Sequence, residues 1–242
     1  ETATVYFYQY LDIQKQLESQ SGIAYALANI GAIRIKMQDF EMAKQSFLEG
    51  LHILEALSPE DSLGLIKQQI PNIINNLGIV YQNLQQFDSA LWYYREGIHL
   101  SAFVEDQKYF QASIYNNIGG LFLDNNMPDS AFVPLTKAMQ VRMERNDRAG
   151  QAASYNRLAD YYTLIGENQK AVDDFYKGLS IAIEIGSIDL QSIFTEKLYL
   201  HYKQSGASDS ALKYYELHHD FMKVINNTET LMELTRLELL SQ

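Results

Sequence analysis

The chain has 242 residues, 47% of them apolar, enough for a packed core and too many for a disordered segment. Thirty acidic residues against 19 basic ones leave a net charge of −11, a field that repels nucleic acid and anionic membrane. Zero cysteines remove disulfides, thiolate metal sites and Cys nucleophiles, and 13 Gly with 4 Pro are too few turn formers for an all-β chain.

The expected class is all-α. In chain order, residues 1–20 read as the second helix of an incomplete repeat, because Ala3, Phe7 and Tyr10 lie on the stripe that recurs 40 residues later at Ala43. That stripe lacks a partner first helix, so further repeats are expected before residue 1. Full helix pairs are expected at 21–57, 62–104, 106–146, 147–185 and 187–226. Asn226-Asn227-Thr228 breaks the pattern, and 228–242 reads as an amphipathic helix capping the last apolar face. No basic-then-apolar leader opens the chain. The longest uncharged stretch, Gln68 to Phe87, holds Pro71, four Asn and five Gln, so no membrane span is expected.

The pairs rest on one register. Ile30-Gly31, Arg34, Ala43 and Phe47 form the first row, and Leu77-Gly78, Tyr81, Ala90 and Tyr94 the second. Ile118-Gly119, Phe122, Ala131 and Leu135 follow, then Leu158-Ala159, Tyr162, Ala171 and Phe175, then Leu198-Tyr199, Tyr202, Ala211 and Tyr215. The Ala falls nine residues after the Arg or aromatic position in all five rows, with intervals between rows of 47, 41, 40 and 40. Small residues let two helices approach at their crossing while rings fill the space beside them. Loop signals separate the helices at Gln38-Asp39, Gln85-Gln86, Asn125-Asn126, Gly166-Glu167 and Ser205-Gly206. Tyr199 stands where the other rows have a small residue, so wider packing is expected there. Pro134 should kink its helix, and Ser58 to Gly64 should form an extended loop that absorbs the longer first interval.

This register resembles the tetratricopeptide repeat family, whose L-G-x-x-Y…A-x-x-x-F pattern it follows along nearly the whole chain. The resemblance implies a right-handed superhelix of antiparallel helix pairs, with first-helix faces lining a concave groove that binds partners. The period near 40 resembles the longer-repeat members used in signalling and cargo scaffolds. The tail from Lys213 to Leu240 resembles the end of arrays in bacterial signalling proteins, where a helix leads to an effector part. A stand-alone adaptor that binds a response regulator or another protein is the alternative.

No residue pattern makes a case for an enzyme, a metal or a cofactor. His218-His219-Asp220 are adjacent and face different sides of a helix, no phosphate loop or nucleophile elbow occurs, and Asp173-Asp174 reads as a solvated face. The feature that exceeds packing needs is a set of amides. Asn29, Asn72, Asn75, Asn76, Asn83, Asn116, Asn117 and Asn156, with Asp124, Arg157, Asp160 and Lys197, fall opposite the buried stripe of the first helices or beside it. Asn costs roughly 0.5–0.7 kcal/mol against Ala inside a helix, so the repeated choice wants a reason. A carboxamide both donates and accepts, which suits either a bound peptide backbone or a tie between neighbouring repeats. The resemblance places these residues in the partner groove. The basic clamp with which some co-chaperone members hold a terminal carboxylate is not reproduced.

Overall fold

The structure, a computed structural model, describes the backbone of residues 2–58 and 68–240 and the side chains of residues 5–58 and 68–227. Eleven α-helices fill the described residues: α1 Thr2–Gln16, α2 Gln20–Lys36, α3 Phe40–Leu57, α4 Ile70–Asn83, α5 Phe87–Leu100, α6 Gln107–Asp124, α7 Pro128–Glu144, α8 Arg148–Leu164, α9 Asn168–Glu184, α10 Ile188–Gln204 and α11 Ser208–Leu240. The expected all-α architecture of consecutive helix pairs is what forms. Two compact units divide the chain at Leu121 and Phe122, within α6.

The nine-residue offset has a backbone cause. At each turn from first to second helix one residue takes a left-handed conformation: Gln38, Gln85, Asn126, Gly166 and Gly206, at φ between 57° and 78°. After α4 the Gln85 N–H donates to Gln82 O at 3.0 Å and the Gln86 N–H to Tyr81 O at 2.9 Å. These are the paired bonds of a Schellman turn. The carbonyls of Arg34, Tyr81, Phe122, Tyr162 and Tyr202 accept in this way from Asp39, Gln86, Met127, Glu167 and Ala207. The second helix then closes its first bond four residues on, Ala43 to Asp39, Ala90 to Gln86, Ala171 to Glu167 and Ala211 to Ala207. Five residues of turn and four of helix make up the offset.

Unit 1 packs as the register predicts. Phe47 and Tyr94 are fully buried beneath Gly31 and Gly78, and a Cβ on either glycine would lie within 3 Å of the ring. A second row of small residues, Gly50, Gly97, Ala138 and Gly178, escaped the sequence reading although it lies seven positions after the Ala. In unit 1 a Cβ on Gly97 would meet the Ile114 Cδ1 of the following first helix at 2.9 Å. This row sets the spacing between repeats as the first sets it within them. At the start, Phe7, Tyr10 and Leu11 of α1 pack with Ile23, Leu27 and Ile30 of α2. Tyr6 is 59% exposed, whereas Ser46, its counterpart 40 residues on, is buried at 8%.

Unit 2 builds its core from Ala171, Phe175, Phe194, Leu198 and Tyr214, with a second cluster around Ala131, Leu135 and Met139. A Cβ on Gly178 would collide with the Phe194 ring. Glutamines 40 residues apart bind repeat to repeat: Gln151 Nε2 donates to Arg142 O at 3.1 Å and Gln191 Nε2 to Ala182 O at 3.3 Å. In unit 1, Gln111 Nε2 makes a similar bond to Ser101 Oγ at 2.7 Å.

Three expectations need correction. The chain does not break at Asn226-Asn227-Thr228, because α11 continues without interruption from Ser208 to Leu240; two Asn and a Thr cost helix propensity but do not stop a long helix. Tyr215 does not take the buried place of its row: it is 48% exposed, while Tyr214 beside it is buried at 6%. Asp174 is not solvated, since its side chain is 9% exposed and pairs with Lys177 Nζ at 2.7 Å. Pro134 lies inside an α7 that runs unbroken from Pro128 to Glu144. Of the expected loop from Ser58 to Gly64, all but Ser58 lies outside the described residues, as do the side chain of Ala3 and those of the expected cap.

Candidate partner-binding clefts

The first helices of unit 1 enclose a cleft of about 230 Å³. Its walls are Tyr25, Ala28, Asn29 and Ala32 on α2, facing Gln69, Asn72, Ile73 and Asn76 at the start of α4. Both sets follow the i, i+3, i+4, i+7 spacing of one helical face, so the two helices present matching stripes. Ala28, Ala32 and Ile73 supply an apolar floor. The polar groups are four carboxamides and a phenol, with neither a carboxylate nor an ammonium among them. The Tyr25 ring stands edge-on to Phe7 and Tyr10 of α1, at 6.4 and 6.0 Å, which fixes that wall. Asn29 Nδ2 donates to Tyr25 O at 2.8 Å, which leaves its Oδ1 as an acceptor for a bound group.

The remaining amides divide between other roles. Asn117 Nδ2 donates to Asn75 Oδ1 at 3.1 Å, a bond 42 residues apart in sequence that ties α6 to α4. Asn116 is buried at 9%. Asn83 is exposed and bonds back to Ile79 O at 2.8 Å within its own helix. Of the eight Asn read from the sequence, three therefore meet in one open cleft and two form a tie between repeats.

In unit 2 the arrangement is charged. Asp160 on α8 and Lys197 on α10 pair at 2.7 Å, each partly exposed, beside a cleft of about 180 Å³ that also includes Thr163, His201 and Gln204. Arg157 is half-buried on α8, and Asp124 is exposed at the end of α6. Asn156 Oδ1 is buried with no hydrogen-bond partner among the described residues. Lys177, outside the cleft, is held above its usual range first by its hydrogen bond to Asp174, and its ammonium lies 5.4 Å from the centre of the Tyr155 ring. Among the described residues no group of His, Asp and Glu could hold a metal ion, and no helix is long and apolar enough to cross a membrane.

The tetratricopeptide repeat sequence profile matches residues 72–101, which hold nearly all of α4 and α5. Solved structures of similar fold extend the likeness along the chain. The crystal structure of BtubC (BKLC) from P. vanneervenii superposes with a TM-score of 0.69 at 18% identity, covering 93% of this chain and 91% of that one. A Rap protein complexed with Competence and Sporulation Factor gives 0.72 at 16% identity, covering 87% of this chain and 57% of that one. The Rap conjugation gene regulator of plasmid pLS20, in complex with the Phr* peptide, gives 0.74 at 13% identity, covering 85% and 55%. The chain thus spans a little over half the length of the Rap chains. One stretch of the chain, residues 72–101, thus matches the repeat profile, and the chain shares the helix-pair fold of these solved structures. No curated protein is similar enough in sequence to match it.

Proposed function

We propose that this chain is a non-catalytic binding module that holds an extended peptide, or such a segment of a partner protein, against its first helices. The observation that carries the reading is the uncharged cleft of Tyr25, Asn29, Gln69, Asn72 and Asn76 over a floor of Ala28, Ala32 and Ile73. An extended backbone offers an N–H and a C=O at every residue, and carboxamides answer both. The small apolar floor leaves room for alternate side chains. The complex of one Rap protein with the Phr* peptide, and of another with Competence and Sporulation Factor, both on the fold this chain shares, support the same use of the architecture. In this reading the module is the sensing or regulatory part of a bacterial signal-transduction protein, and ligand binding alters what the rest of that protein does.

A random peptide library displayed on phage and selected on the wild-type chain tests this. Selected peptides should compete with one another, and the variant carrying Asn29→Ala, Asn72→Ala and Asn76→Ala should lose them while melting at or slightly above the wild-type temperature, since Ala is the better helix former. Peptides retained with unchanged affinity by this folded variant would refute the assignment.

A further inference from the structure

We propose a second binding cleft, in the last helix pair, that takes an aromatic side chain of a partner polypeptide with an acidic residue beside it. The site arises from a departure in the repeat. Where four rows place Gly31, Gly78, Gly119 and Ala159, the fifth places Tyr199. Beside that ring Tyr215 stays out: its counterparts Phe47, Tyr94, Leu135 and Phe175 are 0–3% exposed, whereas Tyr215 is 48% exposed. The two rings sit 5.4 Å apart, tilted by 56°, instead of one closing over a small residue.

The opened space is a cleft of about 370 Å³, walled by Tyr199, Tyr202, Lys203, Ala211, Leu212 and Tyr215. That volume lies within the range of roughly 300–1,000 Å³ typical of ligand pockets. Its walls are already fixed. The Tyr202 hydroxyl is 3.0 Å from that of Tyr176, and its ring stacks on Tyr214 at 5.7 Å with planes 10° apart. Tyr215 stacks on His219, again with nearly parallel planes. A ligand would meet a formed site and save the cost of ordering it. Three phenol rings and Leu212, itself 58% exposed, suit a flat apolar group that presents an edge or a face to each. The charge requirement comes from Lys203. Its ammonium donates to the Tyr199 hydroxyl at 3.2 Å and is the only ammonium or carboxylate in the lining, so the matching group on the ligand is an acid.

Chemical-shift titration of the full chain, read on the ring signals of Tyr199 and Tyr215, tests the proposal with capped dipeptides. N-acetyl-Phe-Asp-amide should bind saturably. N-acetyl-Phe-Lys-amide should bind about five-fold more weakly, the size of one exposed ion pair, and Lys203→Gln should erase that preference. N-acetyl-Ala-Asp-amide should give no saturable shift. Tyr199→Gly should seat Tyr215, close the cleft and abolish binding with the melting temperature held or raised, and Leu212→Asp at the exposed rim should abolish it without disturbing the fold. No saturable shift in the wild type, equal binding by the Ala dipeptide, or full binding by either folded variant would overturn the proposal.

Discussion

The ring of Tyr94 occupies the space a side chain on Gly78 would need: a Cβ there would meet Cδ1 and Cε1 of the ring at 2.5 Å. Tyr94 is fully buried, and its hydroxyl reaches Gln82 Oε1 at 2.7 Å, so the ring is held at both ends and has little room to retreat. The contact links a glycine in the register to the closeness of α4 and α5. Gly78→Ala should therefore destabilise the protein by about 1–2 kcal/mol although Ala is the better helix former. Ala90→Leu and Ala171→Leu, at fully buried positions, should each cost on the order of 1–3 kcal/mol. Denaturant melts of the three variants check this, and unchanged midpoints would remove the packing argument.

The turns make an opposite prediction. Gln38 and Gln85 hold φ values of 59° and 58°, a conformation that burdens any residue with a Cβ. Gly166 and Gly206 fill the same turn position without that burden. Gln38→Gly and Gln85→Gly should each raise stability by about 0.5–1 kcal/mol, and Gly166→Ala should lower it by a similar amount. Thermal melts should show the opposite signs side by side.

For the Asn75–Asn117 tie, a double-mutant cycle separates a structural amide from a ligand-binding one. Asn75→Ala and Asn117→Ala should show a coupling of about 0.5–1.5 kcal/mol in unfolding free energy, the net worth of one hydrogen bond. Additive effects on stability would mean that the bond ties nothing.

Alkaline pH should weaken the fold through two phenols. Burial, then the neighbouring Tyr81, pushes Tyr93 from 10.0 up to about 12. The hydrogen bond with Tyr176, then burial, does the same for Tyr202. A pKa raised on folding means that the folded state holds its proton longer, so this stability is fully present below pH 10 and is lost as pH rises toward 12. Melting temperature should fall across that window, and Tyr93→Phe and Tyr202→Phe should each flatten the fall.

Much of the fold was legible because its determinants are local. The turn residues Gln85 and Gly166, the Ala at the start of each second helix and the small residues Gly31, Gly78, Gly119 and Ala159 at the first four crossings all act within a few residues of where they stand in sequence. The fifth pair was half legible: Tyr199 in a small-residue place marked the departure, but that Tyr215 would stand half exposed beside it depends on where two rings fit. The amides were the least legible. Helical angles put Asn75, Asn76 and Asn117 on nearly the same face, yet Asn76 lines a cleft while Asn75 and Asn117 bond each other. That difference is set by the neighbouring helix, which a single helical wheel does not contain. The Gln111, Gln151 and Gln191 ties recur every 40 residues, and that period was the available signal for them.

The central claim, that a peptide is held between α2 and α4, is tested most directly by amide hydrogen exchange with a display-selected peptide bound. Protection should rise in the segments 25–32 and 69–76, whose side chains line the cleft, and the Asn29→Ala, Asn72→Ala, Asn76→Ala variant should show no such rise at the same peptide concentration. Protection confined to the second helices α3 and α5, with α2 and α4 unchanged, would contradict the account.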